Sequence, residues 1–83
     1  FSRFPAAQPV PGDLNEIVRN AISVFDGRLE NINLRLDLAP HLPPVNADPE
    51  QFKRVIVNLV DNAAEAMQDS QVRRLLVATH CPA

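Results

Sequence analysis

From Asn31 to Leu38 the chain reads Asn-Ile-Asn-Leu-Arg-Leu-Asp-Leu, polar and apolar residues alternating without a break. A period of two belongs to a strand with one face buried and the other in water, so the chain must build a sheet and cover one side of it. Ala39-Pro40-His41-Leu42-Pro43-Pro44 stops the strand, because three prolines in so short a run permit neither a ladder nor a helix. Val45-Asn46-Ala47 is short enough to be an edge strand or a lead-in to the next helix. The run Arg73 to Thr79 reads as a further strand.

Two helices supply the covering layer. The first begins at Asp13, which can cap the backbone while Glu16 reaches back in a capping-box arrangement. Leu14, Ile17, Val18, Ala21, Ile22 and Phe25 follow at helical spacing, and Gly27 helps to end the helix unless residues 28–30 extend it by a turn. The second helix starts at Asp48, a cap residue, with Pro49 in the first helical position, where a missing N–H costs nothing. Its expected buried stripe is Phe52, Val55, Ile56, Leu59, Ala63, Ala66 and Met67, ending near residue 68. Helix, strand, helix, strand gives an α+β chain, with helices packed on one face of an incomplete mixed sheet.

Composition excludes several functions. Among 83 residues there are two glycines, Gly12 and Gly27, too far apart for a phosphate-cradling loop of the Walker or Rossmann kind. A single domain of this length buries little more than about 60% of its unfolded surface and is marginal alone. No apolar run approaches the roughly 18 residues that span a membrane, and no basic stretch precedes an apolar core at the N-terminus. The chain therefore reads as soluble, without membrane contact. Net charge of −2 and the absence of Trp and Tyr argue against a nucleic-acid partner. Cys81 has no second cysteine for a disulfide or a metal site, and His41 and His80 read as surface-loop residues.

One edge of the second helix is polar in an unusual way. At about 100° per residue, Asn62 lies roughly 40° from Asn58 and Glu65 roughly 20° on its other side, so the three share a ridge beside the apolar stripe. Asn is a poor helix-interior residue because its short amide competes for backbone hydrogen bonds. Paired Asn side chains offer neutral carbonyl oxygens suited to a hydrated Mg²⁺ and its attached phosphates, an ion that takes few protein ligands. The same pair also reads as two solvated amides, or as one amide bonded to a neighbouring loop carbonyl.

The run from Asp48 to Met67, Asp-Pro-Glu-Gln-Phe-Lys-Arg-Val-Ile-Val-Asn-Leu-Val-Asp-Asn-Ala-Ala-Glu-Ala-Met, closely resembles the N box of the sensor histidine kinases. These form a branch of the GHKL or Bergerat-type ATPase superfamily, shared with gyrase, mismatch-repair and heat-shock chaperone ATPases. Asn-Leu-Val-x-Asn-Ala-x-x-Ala-Met is most similar to the nitrogen-regulation type (NtrB/NtrY-like). Phe-Ser-Arg-Phe with its following prolines, and then Asp13 to Val18, resemble the join between that family's dimerisation helices and its catalytic domain. The resemblance implies a linker at residues 1–12 leading from upstream dimerisation helices. Residues 13–83 would be the N-terminal part of a histidine-kinase ATP-binding domain, a partial two-layer α/β sandwich cut before its Gly-rich motifs.

The same resemblance implies that Asn62 is the ligand of Mg²⁺ bound to ATP phosphates and that Asn58 contacts phosphate or a bridging water. Glu65 completes the nucleotide-binding ridge, at a place where many relatives carry a basic or another polar residue. No residue of this chain is expected to be catalytic. In hydrolytic relatives the position of Asn58 is a Glu that activates water, and an amide cannot take that proton, so a kinase fits better than a hydrolytic ATPase. The parent would use Mg-ATP to phosphorylate a histidine and pass the phosphoryl group to a response regulator in the cytoplasm. Neither His41 nor His80 has the phosphoacceptor context, and the Asp-x-Gly-x-Gly motif and the lid are missing. The chain alone is therefore expected to be inactive and not to bind ATP measurably. A reading from another class is a protein-interaction module, with homodimer or higher self-association through an unpaired sheet edge and a bare apolar face.

Overall fold

A computed structural model describes residues 6–29 and 31–81. The Phe-Ser-Arg-Phe segment falls outside the described residues, as do Glu30 and the last two positions. Six elements follow in order: β1 (Val10–Gly12), α1 (Leu14–Ser23), β2 (Asn33–Asp37), β3 (Val45–Ala47), α2 (Pro49–Ala66) and β4 (Arg74–Ala78). The α+β reading holds, but the strands form two separate ladders rather than one sheet. β1 pairs antiparallel with β3, and β2 pairs parallel with β4.

Both helices start after the cap residues that the sequence marks, but among the described residues Glu16 makes no return bond to Asp13, so the capping box does not form. The Asp13 carboxylate accepts the Asn15 N–H at 2.9 Å, and its carbonyl accepts the Ile17 N–H. This satisfies donors that an isolated helix end leaves unpaired. α1 ends at Ser23, and the chain then turns through Gly27, whose φ of +78° suits a residue without a Cβ. Val45–Ala47 is an edge strand, which decides between its two sequence readings, and Val10–Gly12 of the entering segment supplies its partner.

Parallel strands cannot be joined by a tight turn. α2 makes the crossover between β2 and β4, and the register puts Leu34 beside Leu75 and Leu36 beside Val77 on one face. Leu75, Val77 and Leu38 pack against the helices, while Arg35 and Leu76 face away from them, as the period of two requires. The core consists of Ile17, Val18, Ala21 and Phe25 from α1 and the turn after it, with Ile56 and Val60 from α2. All the expected α1 residues lie on this side; Leu14 and Ile22 pack at its margin.

The buried stripe of α2 differs from expectation. Ile56 and Val60 are buried, Ala63 and Met67 are half-buried, and Phe52, Val55, Leu59 and Ala66 are exposed. Val60, outside the expected stripe, is the most enclosed residue of the helix at 3% exposure, whereas Leu59 beside it is 62% exposed. The cause is geometric. α2 carries apolar residues over much of its circumference, and α1 with one small parallel ladder can cover only the sector centred on Ile56 and Val60.

A buried polar knot ties α1 to the strand ends. Asn15, 6% exposed, donates from Nδ2 to the Ala39 carbonyl at 2.6 Å and accepts the Thr79 hydroxyl at 2.7 Å. Thr79 Oγ1 in turn accepts the Ala39 N–H at 2.9 Å. The first turn of α1 is thereby fixed to the residues leaving β2 and β4, and each buried group has a partner.

Candidate functional site

α2 positions the ridge. Its first turn is capped by Asp48, whose Oδ1 accepts the N–H groups of Glu50 and Gln51 at 3.0 and 3.2 Å, and Pro49 occupies the first turn without losing a bond. The inner side is held by Ile56 and Val60 against α1, so the opposite side, which carries Asn58 and Asn62, is turned to solvent. The helix stays unbroken from Pro49 to Ala66, and the two Asn therefore stand one turn apart on one face.

Asn58, Asn62 and Glu65 are all exposed. Among the described residues neither Asn amide is engaged by an internal hydrogen bond, so both carbonyl oxygens are available to an outside ligand. The alternative in which one amide bonds a loop carbonyl is thus not adopted. Val55 and Leu59, at 53% and 62% exposure, run alongside the pair with Phe52 one turn earlier. The result is a polar ridge bordered by a bare apolar band on a rigid helix.

Glu65 follows Asn62 by three residues along the same unbroken helix and so shares its ridge. It lies on the rim of a cleft of about 590 Å³ between the end of α2 and the turn after α1, where Phe25, Arg28, Asp61 and Arg73 also contribute. Neither Asn58 nor Asn62 lines that cleft. Arg28 sits with its guanidinium carbon 5.2 Å from the Phe25 ring centre and one nitrogen 3.7 Å from Asp61 Oδ1. Arg73 donates to the Gln68 and Ser70 carbonyls beyond the helix end, where a cation also meets the negative end of the helix dipole.

The donor set can be tested for a metal. Among the described residues no group of three His, Cys, Asp or Glu side chains is placed to hold one. Two free amide oxygens on a rigid face do fit a hard cation that retains most of its water. His41, His80 and Cys81 are exposed in the segments that leave β2 and β4, as the loop reading expects.

The sequence reading missed the Asn15–Thr79–Ala39 knot and the Arg28–Asp61 pair. For Asn15 a signal was present, since it sits in the first turn of a helix beside the apolar Leu14 and Ile17, where a solvated amide is not the default. Arg28 and Asp61 come from separate elements, and no spacing rule connects them.

A helix with a free Asn pair, crossing over between parallel strands and packed on a second helix, can be compared with known proteins. No family model matches the chain. It is 46% identical over 63 residues, 76% of its length, to the sensor protein FixL of Bradyrhizobium diazoefficiens. It is 34% identical over 58 residues, 68% of its length, to sporulation kinase E of Bacillus subtilis. To the methanogenesis regulatory histidine kinase FilI of Methanothrix harundinacea the identity is 33% over 61 residues, 74% of the chain. The chain is related to two-component sensor histidine kinases. The matched region accounts for 12%, 8% and 7% of those three proteins, so the relationship concerns a small part of each. Among the described residues no helix is long and apolar enough to cross a membrane.

Proposed function

We propose that this chain is the N-terminal part of a histidine-kinase ATP-binding domain, and that its α2 presents Asn58 and Asn62 to Mg-ATP phosphates. The observation that carries the reading is the exposed pair itself: two amides one turn apart, free of internal bonds, on the outer face of a capped helix. Asn62 would hold the metal through its amide oxygen, and Asn58 would bond a phosphate oxygen or a bridging water. Bound there, Mg²⁺ would supply charge neutralisation to the transferring phosphoryl group.

The chain's own part in that chemistry is positional. The Asp48 cap and the Ile56 and Val60 contacts keep α2 from rotating, and a fixed face holds ligand oxygens with little reorganisation. With Asn rather than Glu at position 58, no carboxylate is there to draw a proton from water, which favours transfer to a histidine over hydrolysis. The phosphoryl group would pass onward to a response regulator. The NtrB/NtrY-like resemblance of residues 48–67, the linker reading of residues 1–12 and a cytoplasmic setting belong to this same proposal. Glu65, which also lies on the rim of the cleft, completes the nucleotide-binding ridge in the same proposal.

In a kinase that carries this segment together with its glycine-rich motifs, Asn62→Ala should abolish autophosphorylation while leaving the helix folded. Retained activity would overturn the metal assignment. With only Gly12 and Gly27, the chain alone carries no glycine-rich motif and should show no measurable Mg-ATP affinity by calorimetry; micromolar binding would contradict the reading.

Self-association is favoured by one separate observation, the exposed Phe52, Val55 and Leu59 on α2 with Leu76 on the outer face of β4. Light scattering over a hundredfold concentration range should show mass increasing. A monomer throughout would remove the homodimer.

A further inference from the structure

Asp48 holds two different pieces of the chain, one with each carboxylate oxygen. Oδ1 accepts the Glu50 and Gln51 N–H groups and so caps α2. Oδ2 accepts the Gln8 N–H at 2.8 Å, from a residue forty positions earlier in the chain. The ladder of β1 with β3 ends where Val10 faces Ala47. Beyond Ala47 the backbone turns into the helix and offers the entering segment no further strand. Pro9 has no N–H to pair, and the next donor, that of Gln8, is received by the Asp48 side chain in place of a strand carbonyl.

We infer that Asp48 is a latch whose two oxygens divide the labour: Oδ2 holds Gln8, just ahead of the β1–β3 ladder, and Oδ1 holds the helix cap, so the stretch before β1 can be released without uncapping α2. The Gln8 N–H and then the Gln51 N–H hold this carboxyl below the usual Asp range, against a smaller opposing effect of desolvation, and keep it ionised so that both oxygens accept.

Asp48→Asn separates the two functions atom by atom. Asn caps a helix about as well as Asp, and its single oxygen is best placed on the two cap amides. Its nitrogen then stands where Oδ2 was, and a donor cannot receive the Gln8 N–H. Amide exchange and ¹⁵N relaxation on the 83-residue chain would read both sides. In Asp48→Asn, the Gln8 amide should lose its protection and its order, while the Glu50 and Gln51 amides and the rest of α2 keep theirs. In Asp48→Ala both sets should be lost. Asp48→Ser, whose short hydroxyl caps the helix but cannot span to Gln8, should repeat the Asn pattern and covers the case of a poorly folding Asn variant.

Unchanged protection at Gln8 in Asp48→Asn and Asp48→Ser would overturn the latch. So would loss of the Gln8 and Gln51 amides together in both variants, which would make the arm and the cap one unit. No nucleotide enters these measurements, so the latch can fail while the kinase reading stands, and Asn62 can fail as a metal ligand while the latch stands.

Discussion

The two sides of α2 differ more than any other neighbouring surfaces in the molecule. On the inner side, Ile56 and Val60 meet Val18, Ala21 and Phe25 in the core, which is small enough that every member matters. On the outer side Phe52, Val55 and Leu59 are large and apolar, yet they contribute little because water still reaches them. The Asn pair stands with the outer group. Fold stability therefore places no demand on Asn58 or Asn62, and two residues that mildly disfavour helix sit where the fold would accept alanine. That separation makes the outer face interpretable as a surface for something outside the described chain.

The most direct way to break the contrast is a pair of truncations on the same helix. Ile56→Ala should cost about 2–4 kcal/mol, the transfer term plus the cavity left in a core with few neighbours able to collapse into it. Leu59→Ala, three residues on, should stay within about 0.5 kcal/mol because most of that side chain is already solvated. Urea unfolding of the two variants measures both. Equal costs at a dilution where light scattering shows a monomer would mean that the division between inner and outer faces has to be abandoned.

Most of the elements were legible in the sequence, but β1 was not, since residues 1–12 read as a linker and Val10–Gly12 becomes a strand only by pairing with Val45–Ala47. Both cap residues, the alternating strand and the α1 face follow from local chemistry that repeats along the chain, and each appears where the pattern placed it. The α2 stripe was not legible for a definite reason. Phe52, Val55 and Leu59 satisfy a helical period as well as Ile56 and Val60 do, and choosing between two apolar sectors requires knowing how much surface α1 and the β2–β4 ladder can cover. That is a property of the assembled layers. The Asn ridge was visible as spacing, because a four-residue interval fixes a common face in any helix. The cleft beside Glu65 was not, since it is built by Phe25 and Arg28 from outside α2. Asn15 shows the same limit: a cap neighbour in sequence, it becomes a buried tie only when Ala39 and Thr79 arrive from the strand ends.

The polar knot gives a smaller and sharper test of the inner side, because it asks whether stability there is only apolar. Thr79→Val keeps the shape of the side chain and deletes the hydroxyl. Ala39 N–H then loses its acceptor and Asn15 Oδ1 loses its donor, in a site where Asn15 is almost fully enclosed. Leaving buried polar groups unpaired costs about 1–3 kcal/mol in all, and the partial exposure of Thr79 argues for the lower half of that range. Thr79→Ser retains the oxygen and should recover most of the loss, with only a methyl group missing. Thermal or urea unfolding of the two variants, read beside Leu59→Ala, places a single hydroxyl at the strand ends above an entire leucine side chain on the outer face of α2. If Thr79→Val proves as mild as Leu59→Ala, water replaces the knot without loss, and α1 is held to the strands by its apolar face alone.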